Sequence, residues 1–224
     1  MIKCADFSKF YAKKQIISES NFEIRSNTVS FLMGPNGSGK TTLVKCIMGM
    51  ENYSGQFYFD GKNINQVREK CLVIWDDCPF YTNISGINNL MLFDKNQNKK
   101  RHIVEIASKY IEFELLKNKV KTYSYGQKKK LALALVEILE PEYIVMDEIS
   151  NGLDYDMMMS LKEDIRNWSK SKTILLTGHQ FDFYNDIIDD LFIIENKQIS
   201  LYRENFHNSN KKLGEIYHET ANKK

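Results

Sequence analysis

Proline is nearly missing: three in 224 residues. With no Pro/Gly/Ser-rich linker and no repeat of solenoid length, the chain is expected to form one domain, or one domain carrying an inserted subdomain. Cysteine is also sparse. Cys4, Cys46, Cys71 and Cys78 contain no C-x-x-C pair, which excludes the usual zinc spacing. A disulfide framework does not suit a chain of this length, so the four are read as reduced thiols in a cytosolic protein. No apolar run approaches the ~20 residues that cross a bilayer. The opening Met1-Ile2-Lys3-Cys4-Ala5-Asp6 lacks the layout of a signal peptide. Any membrane role is therefore expected to come through a partner. Charge of one sign is lacking too: 31 basic and 29 acidic residues leave +2, without the basic excess of a nucleic-acid binder. The chain is nonetheless 12% aromatic, which argues against disorder.

What is present alternates. Val29 to Met33 is a short apolar run ending at glycine, and Thr41 to Met48 follows as a helix former: strand, turn, helix. Gln56–Phe59 and Leu72–Trp75 read as further strands. From about Phe80 to Leu139 the spacing turns helical, with Ile103, Ile106, Ala107, Tyr110, Ile111 and Leu115, then Leu131, Leu135 and Ile138. That block is too long for one crossover and is expected to be an inserted helical subdomain. Tyr143–Met146 and Thr173–Thr177 read as strands around a helix from Met157 to Trp168. A short helix is expected over Phe181–Ile188, a hairpin over Leu191–Ile194 and Gln198–Leu201 around Asn196-Lys197, and a polar helix or tail from Lys211. Strands alternating with helices imply a mainly parallel α/β sheet.

The chemistry begins at Gly34-Pro35-Asn36-Gly37-Ser38-Gly39-Lys40-Thr41, a complete Walker A pattern. Its glycines let successive N–H groups curl toward phosphate oxygens. Lys40 would reach the terminal phosphates, Thr41 would offer a hydroxyl to Mg²⁺, and the following helix would aim its positive end at the same anion. The loop lies between a predicted strand and a predicted helix, as it should. By itself it names only a superclass. No Asn-Lys-x-Asp stretch is present, which counts against a GTPase. Tyr143-Ile144-Val145-Met146-Asp147-Glu148 is an apolar strand ending in two acids. Asp147 suits a Mg²⁺ shell, and Glu148 could polarise water as a general base.

Tyr123-Ser124-Tyr125-Gly126-Gln127, ahead of a helix of lysines and leucines, resembles the LSGGQ signature of ABC ATPases. Ser150-Asn151-Gly152-Leu153-Asp154 looks like the family's D-loop, Thr177-Gly178-His179 places a histidine as its switch histidine is placed, and Tyr11 resembles the aromatic residue that stacks on adenine. The likeness runs from about Ile2 to Leu201. It implies a P-loop NTPase fold of the α/β class over residues 1–224: a mainly parallel sheet, an N-terminal antiparallel β subdomain, a helical subdomain inserted at about 80–139, and a C-terminal helix or tail at 205–224.

The resemblance further implies an ATPase working as a homodimer or heterodimer under a transmembrane permease subunit, at the inner face of the cell membrane. Each ATP would be held by Tyr11, Gly34, Asn36, Gly37, Ser38, Gly39, Lys40, Thr41 and Thr42 of one copy, and by Ser124, Gly126, Gln127 and Asp154 of the signature and D-loop. Glu148, His179 and Lys40 would be catalytic, with Thr41, Asp77 and Asp147 at the Mg²⁺. Two departures stand out. Tyr125 replaces the signature's first glycine, and an aspartate, taken as Asp77, stands where the family has its Q-loop glutamine. A carboxylate accepts hydrogen bonds but cannot donate as an amide does. The lysine run Lys128-Lys129-Lys130 is expected to be an exposed helix face, and His102, His207 and His218 to be solvated. Trp75 to Leu90 and the absence of a C-terminal regulatory domain look similar to exporters of antibiotics or antimicrobial peptides. The alternative is a soluble family member serving cofactor assembly, translation or DNA repair, which would commonly carry two cassettes or a long coiled coil.

Overall fold

A computed structural model describes residues 1–93 and 100–221. Residues 94–99 of the expected helical insert and 222–224 of the expected C-terminal helix or tail lie outside the described residues. The chain opens with β1 (Ile2–Tyr11) and β2 (Lys14–Ile24), then β3 (Val29–Met33), α1 (Lys40–Ile47), β4 (Ser54–Phe59), α2 (Ile64–Val67) and β5 (Cys71–Ile74). A helical stretch follows: α3 (Gly86–Phe93), α4 (Lys100–Ala107), α5 (Phe113–Leu116) and α6 (Tyr125–Leu139). The chain closes with β6 (Tyr143–Asp147), α7 (Tyr155–Ser169), β7 (Thr173–Thr177), α8 (Phe181–Tyr184), β8 (Asp190–Glu195), β9 (Gln198–Arg203) and α9 (Leu213–Ala221).

Two sheets result. A three-stranded antiparallel sheet runs β2-β1-β4, and a six-stranded sheet runs β5-β6-β7-β3-β8-β9, parallel except for its last pair. Every residue of β3, β6 and β7 is buried, which explains why these strands read as unbroken apolar runs. β1 and β2 instead expose one face, and their register shifts three times along the pair. Arg25 clamps the six-stranded sheet to the end of β2 through a two-pronged bond to the buried Asp190, at 2.8 and 2.6 Å.

The hairpin turns at Asn196 and Lys197, both with positive φ, as the two-residue turn of a twisted ribbon requires. The helix expected over Phe181–Ile188 closes after one turn, at Tyr184. The expected exposed lysine face is corrected: Lys129 has no solvent exposure at all. Lys129 shares a helix side with Ala132, Leu133 and Val136, at spacings of three, four and seven, and those three are buried. α6 is buried on more than one side, so its lysines do not share one fate. His102, His207 and His218 are exposed. All four cysteines are free, and burial pushes the Cys4, Cys71 and Cys78 thiols up to about 12.

Candidate nucleotide site

β3, β6 and β7 end on one edge of the sheet, with β7 paired to both of the others. Ligands of open α/β sheets gather at this carboxyl edge. Here the loop 34–39 follows β3, Asp147 ends β6 with Glu148 just after it, and Gly178-His179 follows β7.

The loop adopts the geometry that its glycines predict. Gly39 sits at φ 109° immediately before α1, and a Cβ there would come within 3.0 Å of Ile16 Cγ2. Only glycine meets both demands. Lys40, 7% exposed, folds its ammonium back to donate to the Gly34 carbonyl at 2.8 Å and the Pro35 carbonyl at 3.3 Å. Burial lowers its pKa, while the nearby Glu148 and Asp147 carboxylates oppose that change. Its Nζ also lies 3.3 Å from His179 Nε2, and that nitrogen lies 3.4 Å from Glu148 Oε1.

Asp147 is buried between two hydroxyls. Thr41 Oγ1 donates to Oδ2 at 2.9 Å, and Thr177 donates to Oδ1. Glu148 follows with φ 55°, a left-handed backbone that costs a non-glycine residue about 1–2 kcal/mol. Its N–H donates to the Thr177 carbonyl at 3.1 Å. Two buried oxygens here lack a protein partner, Ser38 Oγ and Glu148 Oε2. In a native fold such orphans point to a missing ligand or water. An alcohol and two carboxylates form a hard-oxygen donor set that fits Mg²⁺, and the loop's N–H groups suit the oxygens of a polyphosphate.

Asp77 is exposed and shares with Thr41, Lys45 and Asp147 an open recess of about 440 Å³. Its neighbour Asp76 is the engaged aspartate. It accepts from Tyr125, from Lys129 at 3.1 Å and from Asn151 at 3.2 Å. Burial raises its pKa, but these bonds outweigh burial and hold it below the usual carboxylate range.

Thus Lys40, Thr41, Asp147, Glu148 and His179 come together at the loop. Ser124, Gly126, Gln127 and Asp154 form a second constellation, at the N-termini of α6 and α7. Ser124 Oγ caps the Gln127 N–H at 3.2 Å and Gln127 Oε1 returns to the Ser124 N–H at 2.8 Å, a capping box. Asp154 caps α7 through the Met157 N–H at 2.8 Å. Tyr125 turns away from this cap and packs on Gly152, where any Cβ would enter its ring. Tyr11 stands apart at the end of β1, 42% exposed, with Lys9 Nζ 4.4 Å from its ring centre. Lys129 and Asp76 escaped sequence reasoning. A charge run conceals which of its members points inward.

The family described as ABC transporter matches residues 17–151. The lantibiotic transport ATP-binding protein SrtF of Streptococcus pyogenes is 29% identical over 208 residues, 91% of each chain. The linearmycin resistance ATP-binding protein LnrL of Bacillus subtilis is 25% identical over 87% of this chain and 66% of its own length. The methionine import ATP-binding protein MetN of Clostridioides difficile is 28% identical over 89% of this chain and 67% of its own. In fold, the solved ATP-binding subunit of an ABC transporter superposes with a TM-score of 0.85 at 22% identity, over 99% of both chains.

Proposed function

Because this chain belongs to the ABC transporter family, as an ATP-binding subunit, we propose that it hydrolyses ATP to power export through a separate membrane subunit. The observation that carries the reading is the meeting of Lys40, Thr41, Asp147, Glu148 and His179 beside the loop 34–39, with Lys40 and Asp147 buried. In this reading the N–H groups of the loop and Lys40 hold the β- and γ-phosphates. Thr41 and Asp147 would hold Mg²⁺, with Asp77 across the recess taking a water of its shell. The ion would supply positive charge against the phosphoryl oxygens. Glu148 orients the attacking water and accepts its proton as the water oxygen bonds to the γ-phosphorus. The bond to the bridging oxygen breaks with its electron pair leaving on ADP. His179 fixes the γ-phosphate from the β7 side, and Lys40 stabilises the charge that develops.

Ser124 and Gly126 project from the positive end of α6 in a manner suited to the γ-phosphate of a second copy, so two cassettes would close head to tail over two ATP molecules. Tyr11 would present its free face to adenine, with Gln127 and Asp154 holding the two helix starts rigid. No helix among the described residues is long and apolar enough to cross a membrane, so attachment to the inner face of the membrane would rest on the permease partner.

Export is the direction that two of the named relatives support. They are named for lantibiotic transport and for linearmycin resistance, and the lantibiotic transport match spans 91% of both chains. The cargo proposed is therefore a peptide, antibiotic or lipid-like amphiphile. Affinity purification from detergent-solubilised membranes tests the assembly. An integral membrane protein should co-purify in stoichiometric amount. Its absence would favour a soluble role in cofactor assembly, translation or DNA repair.

A further inference from the structure

The Lys129 ammonium has three protons and meets three acceptors. Nζ donates to the Glu148 carbonyl at 2.6 Å, to the Ile149 carbonyl at 3.2 Å and to Asp76 Oδ1 at 3.1 Å. The Tyr125 ring centre lies 4.9 Å away. These partners belong to separate segments. Asp76 follows β5, the two carbonyls open the turn after β6, and the lysine stands one turn inside α6. An apolar side chain here would leave the Ile149 carbonyl without a donor and cost the Glu148 carbonyl and Asp76 their charged one, leaving them the Asn151 N–H and the Tyr125 and Asn151 side chains.

Glu148 is held from both sides. Its N–H is bound to the end of β7 through the Thr177 carbonyl, and its own carbonyl is bound to Lys129. With both flanking peptides fixed and φ at 55°, the Cα–Cβ direction is fixed as well. From that fixed origin the carboxylate reaches to 3.4 Å from His179 Nε2.

We propose that Lys129 is a positioning residue for hydrolysis: its ammonium, shared among the Glu148 and Ile149 carbonyls and Asp76, holds the Glu148 carboxylate in its working direction and couples it to the segment after β5. The inference rests on the reading of Glu148 as the group that activates water.

The test compares full-length wild type, Lys129→Met, Lys129→Arg and Asp76→Asn. Phosphate release is measured against MgATP concentration, and calorimetry counts nucleotide-binding sites, so each rate is expressed per site. Lys129→Met should lower kcat per site by about thirtyfold or more, with KM and Kd changed by less than about threefold. Lys129→Arg should recover about tenfold of that loss. Asp76→Asn should fall between, about fivefold below wild type. A lysine that merely supports folding would reduce the number of sites and leave the rate per site intact, and that result overturns the proposal. Equal loss of affinity and rate overturns it too, as does an arginine variant no better than methionine. If the methionine variant does not fold, Asp76→Asn decides: an unchanged rate per site refutes the coupling. Absence of turnover in wild type removes the hydrolysis reading and this inference together. Wild-type turnover, an inactive Glu148→Gln and a full-speed Lys129→Met would leave that reading standing and remove Lys129 alone.

Discussion

Glu148 combines a left-handed backbone, a carboxylate oxygen near His179 and a second oxygen that is buried without a partner. Those are the marks of a side chain held for a reactant rather than for packing. Replacement by glutamine keeps the shape and removes the basicity, so turnover should fall by about 10²–10⁴-fold. ATP affinity should persist; phosphate release and calorimetry on the same preparation check the pair. Gly39→Ala makes a contrasting case. Its φ of 109° and the approach of Ile16 and Ile17 should cost about 1–3 kcal/mol in urea unfolding, and nucleotide affinity should drop with it.

At this scale the sequence was legible wherever a residue type has one job. Gly34 to Thr41, Asp147, Glu148 and His179 stand together at the sheet edge as their order in the chain implies. Asp76 and Asp77 were not separable, since adjacent carboxylates differ only in what the surrounding chain brings to them. Lys129 was read as surface because three consecutive lysines look alike until the sides of α6 are known.

Among the elements, the buried parallel strands and the Asn196-Lys197 hairpin were plain, because continuous apolar runs and a two-residue turn leave strong signatures. β1 and β2 were invisible as individual strands. Polar residues crowd their exposed faces, and three shifts of register break the alternation on which strand reading depends. The contact between the helical insert and α7 carries a pH signature. Asp164 on α7 is pushed from 3.8 up to about 6 by burial, then by the Glu137 and Glu163 charges, against Lys109 and a bond with Tyr110. A carboxyl with a raised folded pKa adds stability that is complete below its unfolded value and is lost as pH climbs through the folded one. Asp164→Asn should therefore match wild type near pH 4 and exceed it above about pH 6, by roughly 1–3 kcal/mol. Urea titrations across that range measure it, and a variant no more stable at pH 8 contradicts the assignment.

For the whole molecule, the two constellations lie at different places on one chain. The loop with its carboxylates sits at the sheet edge, and the capped start of α6 forms the other. A nucleotide bridging two copies would use one from each. Glu148→Gln with MgATP should accumulate as a dimer of about twice the 26.2 kDa chain mass, while wild type under turnover stays mainly monomeric; light scattering after size exclusion distinguishes them. Removing ATP, or adding Lys40→Ala, should return the monomer.

The seat of Tyr125 on Gly152 makes the segment 123–127 and the turn 150–154 a matched pair within this chain. Neither is a portable cassette part. Grafting Tyr123–Gln127 into a relative whose turn carries a side chain opposite the ring would prise the two segments apart, whereas exchanging both together would transplant the joint whole.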